Sequence, residues 1–551
     1  MKNGETLMLG LMQDWPLLVH KIIDHAALNH GDRAVVTRTV EGPIHRTNYR
    51  EIRARARRVA KALEQAGVKL GDRVATLAWN THRHLESWYG IAGLGAVYHT
   101  LNPRLFPAQL AYIANHAEDR VLFFDISFAP LVAEVAPKIP SIELYVAMTD
   151  RAHLPKDNIP HLVAYEDFIA GVDEDFAWRE FDERAACGLC YTSGTTGNPK
   201  GVLYSHRSNV LHALIAAQAD AQGLRNSDCV LPVVPMFHAN AWAIAFAAPM
   251  IGAKLVFPGA KLDGASVYEL LDSERVTMTA AVPTVWLMLL QELEKTGKTL
   301  PHLNRVLIGG SACPPSMIEI FEKKYAVEVV HAWGMTEMSP LGTLGTLKAG
   351  LNEIPYEQQL AFKIKQGHPP FGVEMKIIDE EGRELPRDGK AFGRLKVRGP
   401  CVAKAYFRGE GEDAFDADGW FDTGDVATID PHGYMTITDR AKDVIKSGGE
   451  WISSIEIENA AVGHPAVAEA AVIGVHHPKW DERPLLIVVP KAGAHLTKDE
   501  ILQHLSGKIA KWWMPDDVVF ADEIPHTATG KIQKLVLRER FAGYRLPTAA
   551  E

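Results

Sequence analysis

The first two thirds of the chain alternate short β-type runs with amphipathic helical stretches. Residues 47–66 place apolar side chains at helical spacing beneath a charged face, and Gly67 follows as a helix cap. Strand-like runs such as Arg73–Trp79 and Leu189–Tyr191 separate such stretches, and the alternation continues to Arg305–Gly309. This order predicts parallel β-sheets covered by helices.

The pattern changes near residue 367, where short β-type runs between glycine-containing turns predict an antiparallel sheet or small barrel. After Asp439-Arg440 the tail alternates strand and helix again over about 110 residues, enough for a small domain. The predicted fold class is therefore α/β plus β, because 551 residues exceed one compact core. The expected parts are an N-terminal domain at 1–438, with two helix-covered αβ subdomains to about 365 and a β-barrel-like subdomain at about 366–438, then a hinge at 439–443 and a small α+β C-terminal domain at 444–551.

Composition and charge narrow the possible functions. The net charge of −10 argues against nucleic acid or an anionic membrane as a partner of the whole chain. Five cysteines form an odd, sparse set that indicates a reducing compartment, and Cys187 and Cys190 fit an apolar strand better than a redox or zinc pair.

The most apolar stretch, Ala239–Phe257, is interrupted and falls short of the ~20 residues that span a bilayer. Since the N-terminus lacks a signal-peptide pattern, we expect a cytoplasmic protein without a transmembrane segment.

The string LCYTSGTTGNPKG at residues 189–201 carries the functional argument. An apolar strand runs into glycines that allow close backbone approach to a phosphate, with hydroxyls and Lys200 as further donors. The spacing is not that of a Walker A loop, because Gly201 follows Lys200 where that motif requires Ser or Thr. Composition alone would also allow an ordinary surface loop.

The string is similar to the phosphate loop of the adenylate-forming superfamily, which comprises acyl-CoA synthetases, peptide-synthetase adenylation domains and luciferases. Nearly the whole chain shares the likeness, because further motifs resemble those of the family and follow in its order. They are Pro235–Trp242, Gly309–Ala312, Trp333–Glu337, Trp420–Asp425, Asp439–Asp443 with Lys446–Glu450, and Thr527–Lys531.

The resemblance implies an ATP site in which Trp333 lies beside adenine, Thr336 contacts the α-phosphate and Asp425 binds the ribose hydroxyls. It also implies Mg²⁺ as the cofactor of ATP, held by Glu337 and Thr192. The full expected ATP/AMP-binding set is Thr192, Ser193, Gly194, Thr195, Thr196, Gly197, Lys200, His238, Gly310, Ser311, Ala312, His331, Ala332, Trp333, Gly334, Met335, Thr336, Asp425, Ile437, Arg440, Lys446 and Lys531.

Catalysis of adenylation needs no general base, because a carboxylate is already ionised at neutral pH. The obstacle is its repulsion by the nucleotide, so charge neutralisation and positioning should dominate. The resemblance assigns Lys531 to the space between carboxylate and α-phosphate, with Thr336, Glu337 and His238 as the other catalytic residues. Taken singly, each has an ordinary alternative: a surface lysine for Lys531, a core histidine for His238.

The second half-reaction transfers the acyl group to a thiol, and in the family the C-terminal domain rotates about a hinge to allow it. The resemblance places that hinge at Lys442, where some members have aspartate. It implies a CoA tunnel formed by Lys442, Gly448, Gly449, Glu450 and Trp451. The acyl pocket it implies is lined by His238, Ala239, Trp242, Gly309, Gly334 and Met335.

The N-terminal string GLMQDWPLLVHKIIDHAALNHGDRAVV is similar to a bacterial subgroup of short- and medium-chain fatty-acyl-CoA synthetases. That subgroup includes 3-methylmercaptopropionate–CoA ligases of dimethylsulfoniopropionate breakdown. Because no carrier motif follows Lys531, CoA is the expected acceptor, and the expected reaction joins a carboxylic acid to CoA with release of AMP and diphosphate. The resemblance makes 3-(methylthio)propionate the expected acid. The alternatives are a general short- or medium-chain fatty-acid–CoA ligase, a luciferase-like adenylating oxygenase and a non-catalytic nucleotide-binding regulator. A homodimer is expected, as is common in the fatty-acyl branch.

Overall fold

The structure is a computed structural model that describes residues 8–192, 198–440, 443–448, 450–526 and 532–550, without the side chains at positions 450, 451 and 550. Within the first part, to residue 363, the strands are β1 (Ala34–Arg38), β2 (Ile44–Asn48), β3 (Arg73–Leu77), β4 (Val97–Thr100), β5 (Asp119–Phe124), β6 (Leu144–Ala147), β7 (Leu162–Ala164), β8 (Ala186–Tyr191), β9 (Gly201–Ser205), β10 (Cys229–Pro232), β11 (Lys254–Phe257), β12 (Met278–Ala281), β13 (Arg305–Ile308), β14 (Glu328–Gly334) and β15 (Leu341–Leu344). The helices are α1 (His20–Asn29), α2 (Tyr49–Gln65), α3 (His82–Leu94), α4 (Pro107–Ala117), α5 (Ala129–Val135), α6 (Tyr165–Ala170), α7 (His206–Ala216), α8 (Ile244–Ile251), α9 (Gly264–Ser273), α10 (Pro283–Thr296), α11 (Pro315–Glu319) and α12 (Tyr356–Lys363).

These strands form two largely parallel sheets. One has the order β7-β6-β5-β3-β4-β8-β9 and is parallel except at the β8–β9 hairpin. The other has the order β15-β14-β13-β12-β10-β11-β1-β2, with antiparallel pairs only at its two ends. The largest buried cluster takes side chains from both sheets and from α1, α2, α3, α7 and α8. The prediction of helix-covered parallel sheets is confirmed.

Helix α2 shows how local sequence fixes an element. The Asn48 side chain caps its start by accepting the N–H of Glu51 at 3.0 Å. Its buried residues include Ile52, Ala56 and Leu63, spaced at about one helical turn or multiples of it, so one apolar face packs inward. The helix ends at Gln65, two residues before Gly67, whose φ is +83°.

The next region is a four-stranded antiparallel sheet in chain order. Its strands are β16 (Glu374–Ile378), β17 (Phe392–Arg398), β18 (Phe421–Ile429) and β19 (Met435–Arg440). This is the region expected to be barrel-like; β16 and β19 are the edges of its hydrogen-bonded order. Its core includes Tyr204 from β9 and Cys190 from β8. The sheet therefore packs against the hairpin that carries the phosphate-loop string.

The C-terminal part forms a separate sheet of order β21-β20-β23-β22, with β24 parallel to β23. Its elements are β20 (Ile445–Ser447), β21 (Glu450–Ile452), α13 (Ser454–Val462), β22 (Val467–His477), β23 (Asp481–Pro490), α14 (Lys498–Leu505), β24 (Asp517–Phe520) and α15 (Lys534–Arg540). The first two residues of the predicted hinge, Asp439 and Arg440, belong to β19 and pair with Val426 and Asp425. The hinge itself stays a prediction. A cross-strand pair with Asp425 explains why this charged dipeptide is strand and not connection.

Two further expectations concern the apolar segments. In the described parts of the chain, no helix is both long and apolar enough to cross a membrane. The stretch Ala239–Phe257 instead forms a short turn, α8 and β11. Cys187 and Cys190 are buried, unpaired thiols in β8, and burial raises the pKa of both.

Candidate active site

A cavity of about 420 Å³ lies where the parallel sheets meet the four-stranded sheet. Most of the described residues predicted for the ATP and acyl sites line it. They are Thr192, Lys200, His238, Ala239, Trp242, Gly309, Gly310, Ala332, Trp333, Gly334, Met335, Thr336, Glu337 and Arg440. Motifs far apart in sequence thus line one cavity.

The phosphate-loop string connects β8 to β9, and hydrogen bonds between Thr192 and Lys200 close the loop at its base. The Thr192 N–H donates to the Lys200 carbonyl at 2.9 Å, and the Lys200 N–H donates to the Thr192 hydroxyl at 3.3 Å. The Lys200 ammonium lies 5.1 Å from the centroid of the Tyr406 ring. Both ends of the loop therefore face the cavity, with a cation beside them. Ser193, Gly194, Thr195, Thr196 and Gly197 lie outside the described residues.

Glu337 follows strand β14 in a short helical turn and is buried. The Tyr406 hydroxyl donates to Glu337 Oε1 at 2.6 Å, and the backbone carbonyl of Glu337 accepts the Ala403 N–H at 2.7 Å. Burial and then the Glu337 charge raise the pKa of Tyr406, so its hydroxyl stays a proton donor. The carboxylate is thus held in one orientation at the cavity wall.

These donors fit Mg²⁺ bound together with a nucleotide. Glu337 offers a carboxylate and Thr192 a hydroxyl to the same cavity. Across the described ranges, no group of three or more His, Cys, Asp or Glu side chains could hold a metal by itself. Mg²⁺ bound to nucleotides uses one or two protein carboxylates, with phosphates and water supplying the remaining ligands. The arrangement matches that chemistry and not a dedicated protein cage.

Trp333, which lines the cavity, contacts the buried Asp425. The Trp333 indole N–H donates to Asp425 Oδ2 at 3.0 Å, and Arg440 Nη1 lies 3.0 Å from Asp425 Oδ1. Arg440 also donates to the Thr423 carbonyl at 2.9 Å. Asp425 is buried behind the lining residues Thr423 and Gly424. A hydrogen-bonded carboxylate therefore stands directly beside an aromatic plane.

The apolar end of the cavity is built on an unusual backbone. Residues Ala239–Ala243 all have positive φ, from 47° to 67°, although none is glycine. A left-handed turn of L-residues costs ~1–2 kcal/mol per residue and needs support. The Gln222 side chain donates to the Trp242 carbonyl at 2.7 Å, and the Tyr98 hydroxyl donates to Asn240 Oδ1 at 3.2 Å.

Gly309 fits against this turn because it has no side chain. A Cβ there would lie 2.7 Å from the Ala332 carbonyl oxygen and 3.1 Å from Trp242 Cη2. Trp242 therefore closes tightly over the end of β13. The remaining apolar lining residues of the cavity are Val233, Val234, Pro235, Phe237, Leu262, Ala281, Val282, Val285, Pro340, Leu341, Ala414 and Phe421.

Some predicted residues lie away from the cavity. His331 is buried and bonds to the Ile364 carbonyl at 3.1 Å, and burial lowers its pKa to about 4. The Ile437 N–H donates to Gln366, and the Lys446 ammonium lies 3.5 Å from Glu380. Ser311, Ala312 and Gly448 do not line the cavity either. Gly448 packs instead on Trp480, whose ring would lie 2.9 Å from a Cβ at that position.

Several predictions cannot be placed. Lys442, Gly449 and Lys531 lie outside the described residues, as do the side chains of Glu450 and Trp451. Their assigned roles stay predictions.

Sequence reasoning missed several polar lining residues. Arg104 follows the carboxyl end of β4, and its guanidinium lies 5.9 Å from the centroid of the Phe237 ring. Burial lowers the pKa of Arg104. Its place after a parallel strand was the available signal, because ligands collect at those ends. The other missed lining residues are Tyr406 and Arg394, which pairs with Asp422. Neither directly follows a parallel strand, so the sequence around them does not mark them as site residues.

Comparison with known proteins gives consistent matches over nearly the full chain. The model of the AMP-binding enzyme family matches residues 23–407, and that of the AMP-binding enzyme C-terminal domain matches residues 456–531. A 3-methylmercaptopropionyl-CoA ligase of Ruegeria lacuscaerulensis is 52% identical over 97% of this chain and 99% of its own length. A medium-chain-fatty-acid–CoA ligase of Ectopseudomonas oleovorans is 48% identical over 98% of this chain and 99% of its own. The crystal structure of an anthranilate CoA ligase with anthranoyl-AMP superposes with a TM-score of 0.84 at 26% identity, covering 96% of this chain and 99% of that one.

Proposed function

Because the chain belongs to the AMP-binding enzyme family, we propose that the cavity is where ATP and a carboxylic acid react to form an acyl-adenylate, and that the preferred acid is 3-(methylthio)propionate. The protein is an AMP-forming acid–thiol ligase of the adenylate-forming superfamily. Its overall reaction converts acid, ATP and CoA into acyl-CoA, AMP and diphosphate.

The observation that carries the proposal is that two chemically different groups of side chains line one cavity. Thr192, Lys200 and Glu337 supply a hydroxyl, a cation and a carboxylate around Tyr406. Trp242 and Val285 belong to the apolar lining. A molecule with a charged head and a short apolar tail fits such a cavity, with its head toward the nucleotide.

The adenylation step follows from the charges. The acid is ionised at neutral pH and attacks the α-phosphorus directly, so the protein must offset repulsion between two anions. Lys200 supplies one cation to the phosphates, and Thr336 supplies a hydroxyl. Mg²⁺ held by Glu337 and Thr192 would neutralise phosphate charge. Lys531 is proposed to place a further cation between the carboxylate and the α-phosphate, a role suited to a flexible point charge.

The nucleoside end is proposed to hold AMP in place for both half-reactions. Trp333 offers an aromatic face to adenine, and Asp425 offers its carboxylate to the ribose hydroxyls. Arg440, paired with Asp425, holds that carboxylate in one orientation. Gly448, Gly449 and the residues around Lys442 are proposed to admit the pantetheine thiol of CoA after pyrophosphate leaves.

The choice of acid is supported by the relatives named as 3-methylmercaptopropionyl-CoA ligases, which are 52% identical to this chain. An apolar pocket discriminates by only ~1–3 kcal/mol per methylene-sized difference. Pentanoate, of similar length and apolarity, is therefore expected to react as well. We further propose that the protein works as a Mg²⁺-dependent homodimer in the cytoplasm.

The test is AMP release across straight-chain acids from C2 to C10 and 3-(methylthio)propionate, with and without CoA. We expect CoA-dependent AMP release, with the highest kcat/KM on 3-(methylthio)propionate. A higher kcat/KM on a plain fatty acid, such as those of the medium-chain relative, would refute the assigned acid. Oxygen uptake or light without CoA would instead indicate a luciferase-like oxygenase.

A further inference from the structure

Two aspartates bracket the connection between the four-stranded sheet and the C-terminal domain. Asp439 lies near the end of β19, and Asp443 follows two residues that are not described. Asp439 is almost fully buried and Asp443 nearly so. Buried carboxylates need partners, so the residues that face them are informative.

Asp439 is held by the beginning of helix α13. Its Oδ2 accepts the backbone N–H of Ser454 at 3.1 Å and also the Ser454 hydroxyl. The preceding Ser453 hydroxyl donates to the Thr438 carbonyl at 2.6 Å. The strand that ends the N-terminal domain is thus bonded directly to a C-terminal helix, whose N-terminal dipole favours the charge.

Lys534, at the start of α15, closes the same cluster from the other side. Its ammonium lies 2.8 Å from Glu458 Oε1 and 3.9 Å from Asp439 Oδ1, and it donates to the Ser454 hydroxyl. Burial raises the pKa of the Glu458 carboxyl, while the Lys534 charge opposes that rise. The ammonium is buried and serves two carboxylates from two domains.

Arg538 makes the second contact. Its Nη1 lies 2.7 Å from Asp443 Oδ1. Lys534 and Arg538 are four residues apart on α15, so they project from one face of the helix. One short helix therefore holds both sides of the interdomain connection, Asp439 before it and Asp443 after it.

Helix α15 begins three residues after Lys531. We propose that Lys534 and Arg538 are positioning residues, which hold α15, the helix that follows Lys531, against the two sides of the interdomain connection by pairing with Asp439 and Asp443. The proposal rests on the function assigned to Lys531 above. Loss of these ion pairs should therefore slow adenylation, the half-reaction that uses Lys531, more than it slows thioester formation.

The test measures the half-reactions separately. Adenylation is followed by ATP–pyrophosphate exchange, and thioester formation by reaction of supplied acyl-AMP with CoA. Arg538→Gln should lower the exchange kcat about tenfold or more, because small misplacement of a catalytic group costs up to about 10²-fold. The KM for ATP and the thioester-forming rate should stay within about threefold of wild type, a difference below ~0.7 kcal/mol.

Three further variants separate positioning from folding. Asp443→Asn removes the same ion pair without a change of size and should reproduce the effect, whereas Arg538→Lys should restore most of the exchange rate. Lys498→Gln breaks a C-terminal ion pair of similar length, 2.7 Å to Asp517, which involves neither Asp439 nor Asp443. That control should leave both half-reactions unchanged.

An equal loss of both half-reactions in Arg538→Gln and Asp443→Asn would show a merely structural role and overturn the inference. Unchanged half-reactions in both variants would overturn it as well. A wild-type protein that performs neither half-reaction would instead refute the proposed function, and the inference with it.

Discussion

Trp333 donates its indole N–H to the Asp425 carboxylate across 3.0 Å, which ties the end of β14 to β18. The two residues come from motifs that the sequence presents separately. Their hydrogen bond orients the carboxylate beside the ring before any nucleotide binds. The ring proposed to face adenine and the carboxylate proposed to bind ribose are therefore held together as one preorganised unit.

Asp425→Ala is expected to raise the KM for ATP about 10- to 100-fold, because hydrogen bonds to a charged group contribute ~1.5–3 kcal/mol. Trp333→Phe keeps an aromatic face and removes only the donor, so its KM for ATP should rise about 2- to 10-fold. Initial rates against ATP at saturating acid and CoA measure both. The KM for the acid serves as the internal control, and an unchanged KM for ATP in Asp425→Ala would exclude the ribose role.

Tyr406→Phe should weaken the response to Mg²⁺. The variant removes the 2.6 Å hydrogen bond that orients the Glu337 carboxylate, and loss of such a supporting contact costs about 10- to 100-fold in metal affinity. The measurement is the initial rate against free Mg²⁺ at fixed ATP. Saturation at the wild-type Mg²⁺ concentration would mean that Glu337 does not hold the ion.

Lys531→Ala should abolish formation of the adenylate and spare the reaction of supplied acyl-AMP with CoA. The reason is that this cation is needed only while two anions approach each other. Pyrophosphate exchange and thioester formation are compared in the same preparation. Parallel loss of both activities would contradict the assigned role.

Trp242→Ala should shift the chain-length preference toward longer acids, because the indole closes the apolar end of the cavity next to Gly309. The ratio of kcat/KM for octanoate to that for butanoate should rise about tenfold or more, the effect of roughly one methylene-sized change. Gly309→Ala, which presses a methyl group toward Trp242, should move the ratio in the other direction. A ratio unaffected by either change would place the acyl chain elsewhere.

Asp125→Asn should change how stability depends on pH. Burial raises the pKa of the Asp125 carboxyl to about 7, although it accepts the Trp79 N–H at 2.6 Å. Because the folded state binds this proton more tightly than the unfolded chain, its stabilising contribution is full below pH ~4 and is lost as the pH rises to ~7. The asparagine variant has no such loss.

The free energy of unfolding of Asp125→Asn, relative to wild type, should therefore increase by about 2–3 kcal/mol between pH 5 and pH 8. Urea denaturation at the two pH values measures this difference. A difference that stays constant with pH would show that Asp125 is charged in the folded protein throughout this range.

The sequence was most informative where function depends on contiguous residues. Trp333 lies at the end of β14, and Thr336 and Glu337 follow it, so their motif predicts both the strand and a group of residues that line the cavity. The alternation of strands and helices likewise predicts the two large sheets. It does not predict that β1 and β2 join the sheet of β10–β15, because strand order depends on tertiary packing.

The parts that sequence could not predict are contacts between distant residues. The apolar lining residue Val285 lies in the amphipathic helix α10, where its spacing resembles that of any core position. Tyr406 gains its role only because the four-stranded sheet packs against the β8–β9 hairpin. From its sequence, Arg440 is predicted to belong to a charged connection between domains. The structure shows that it pairs with Asp425 across β18 and β19.

The left-handed turn at Ala239–Ala243 gives no sequence signal, since alanine favours the right-handed helix and no glycine is present. The surrounding fold imposes it, chiefly through Asn240 and Gln222. This has a consequence for how the family's substrate range can diversify. Substitutions in the supporting layer, among residues that never touch the acid, can tilt Trp242 and resize the pocket. New specificities can thus arise while every residue at the nucleotide end stays the same.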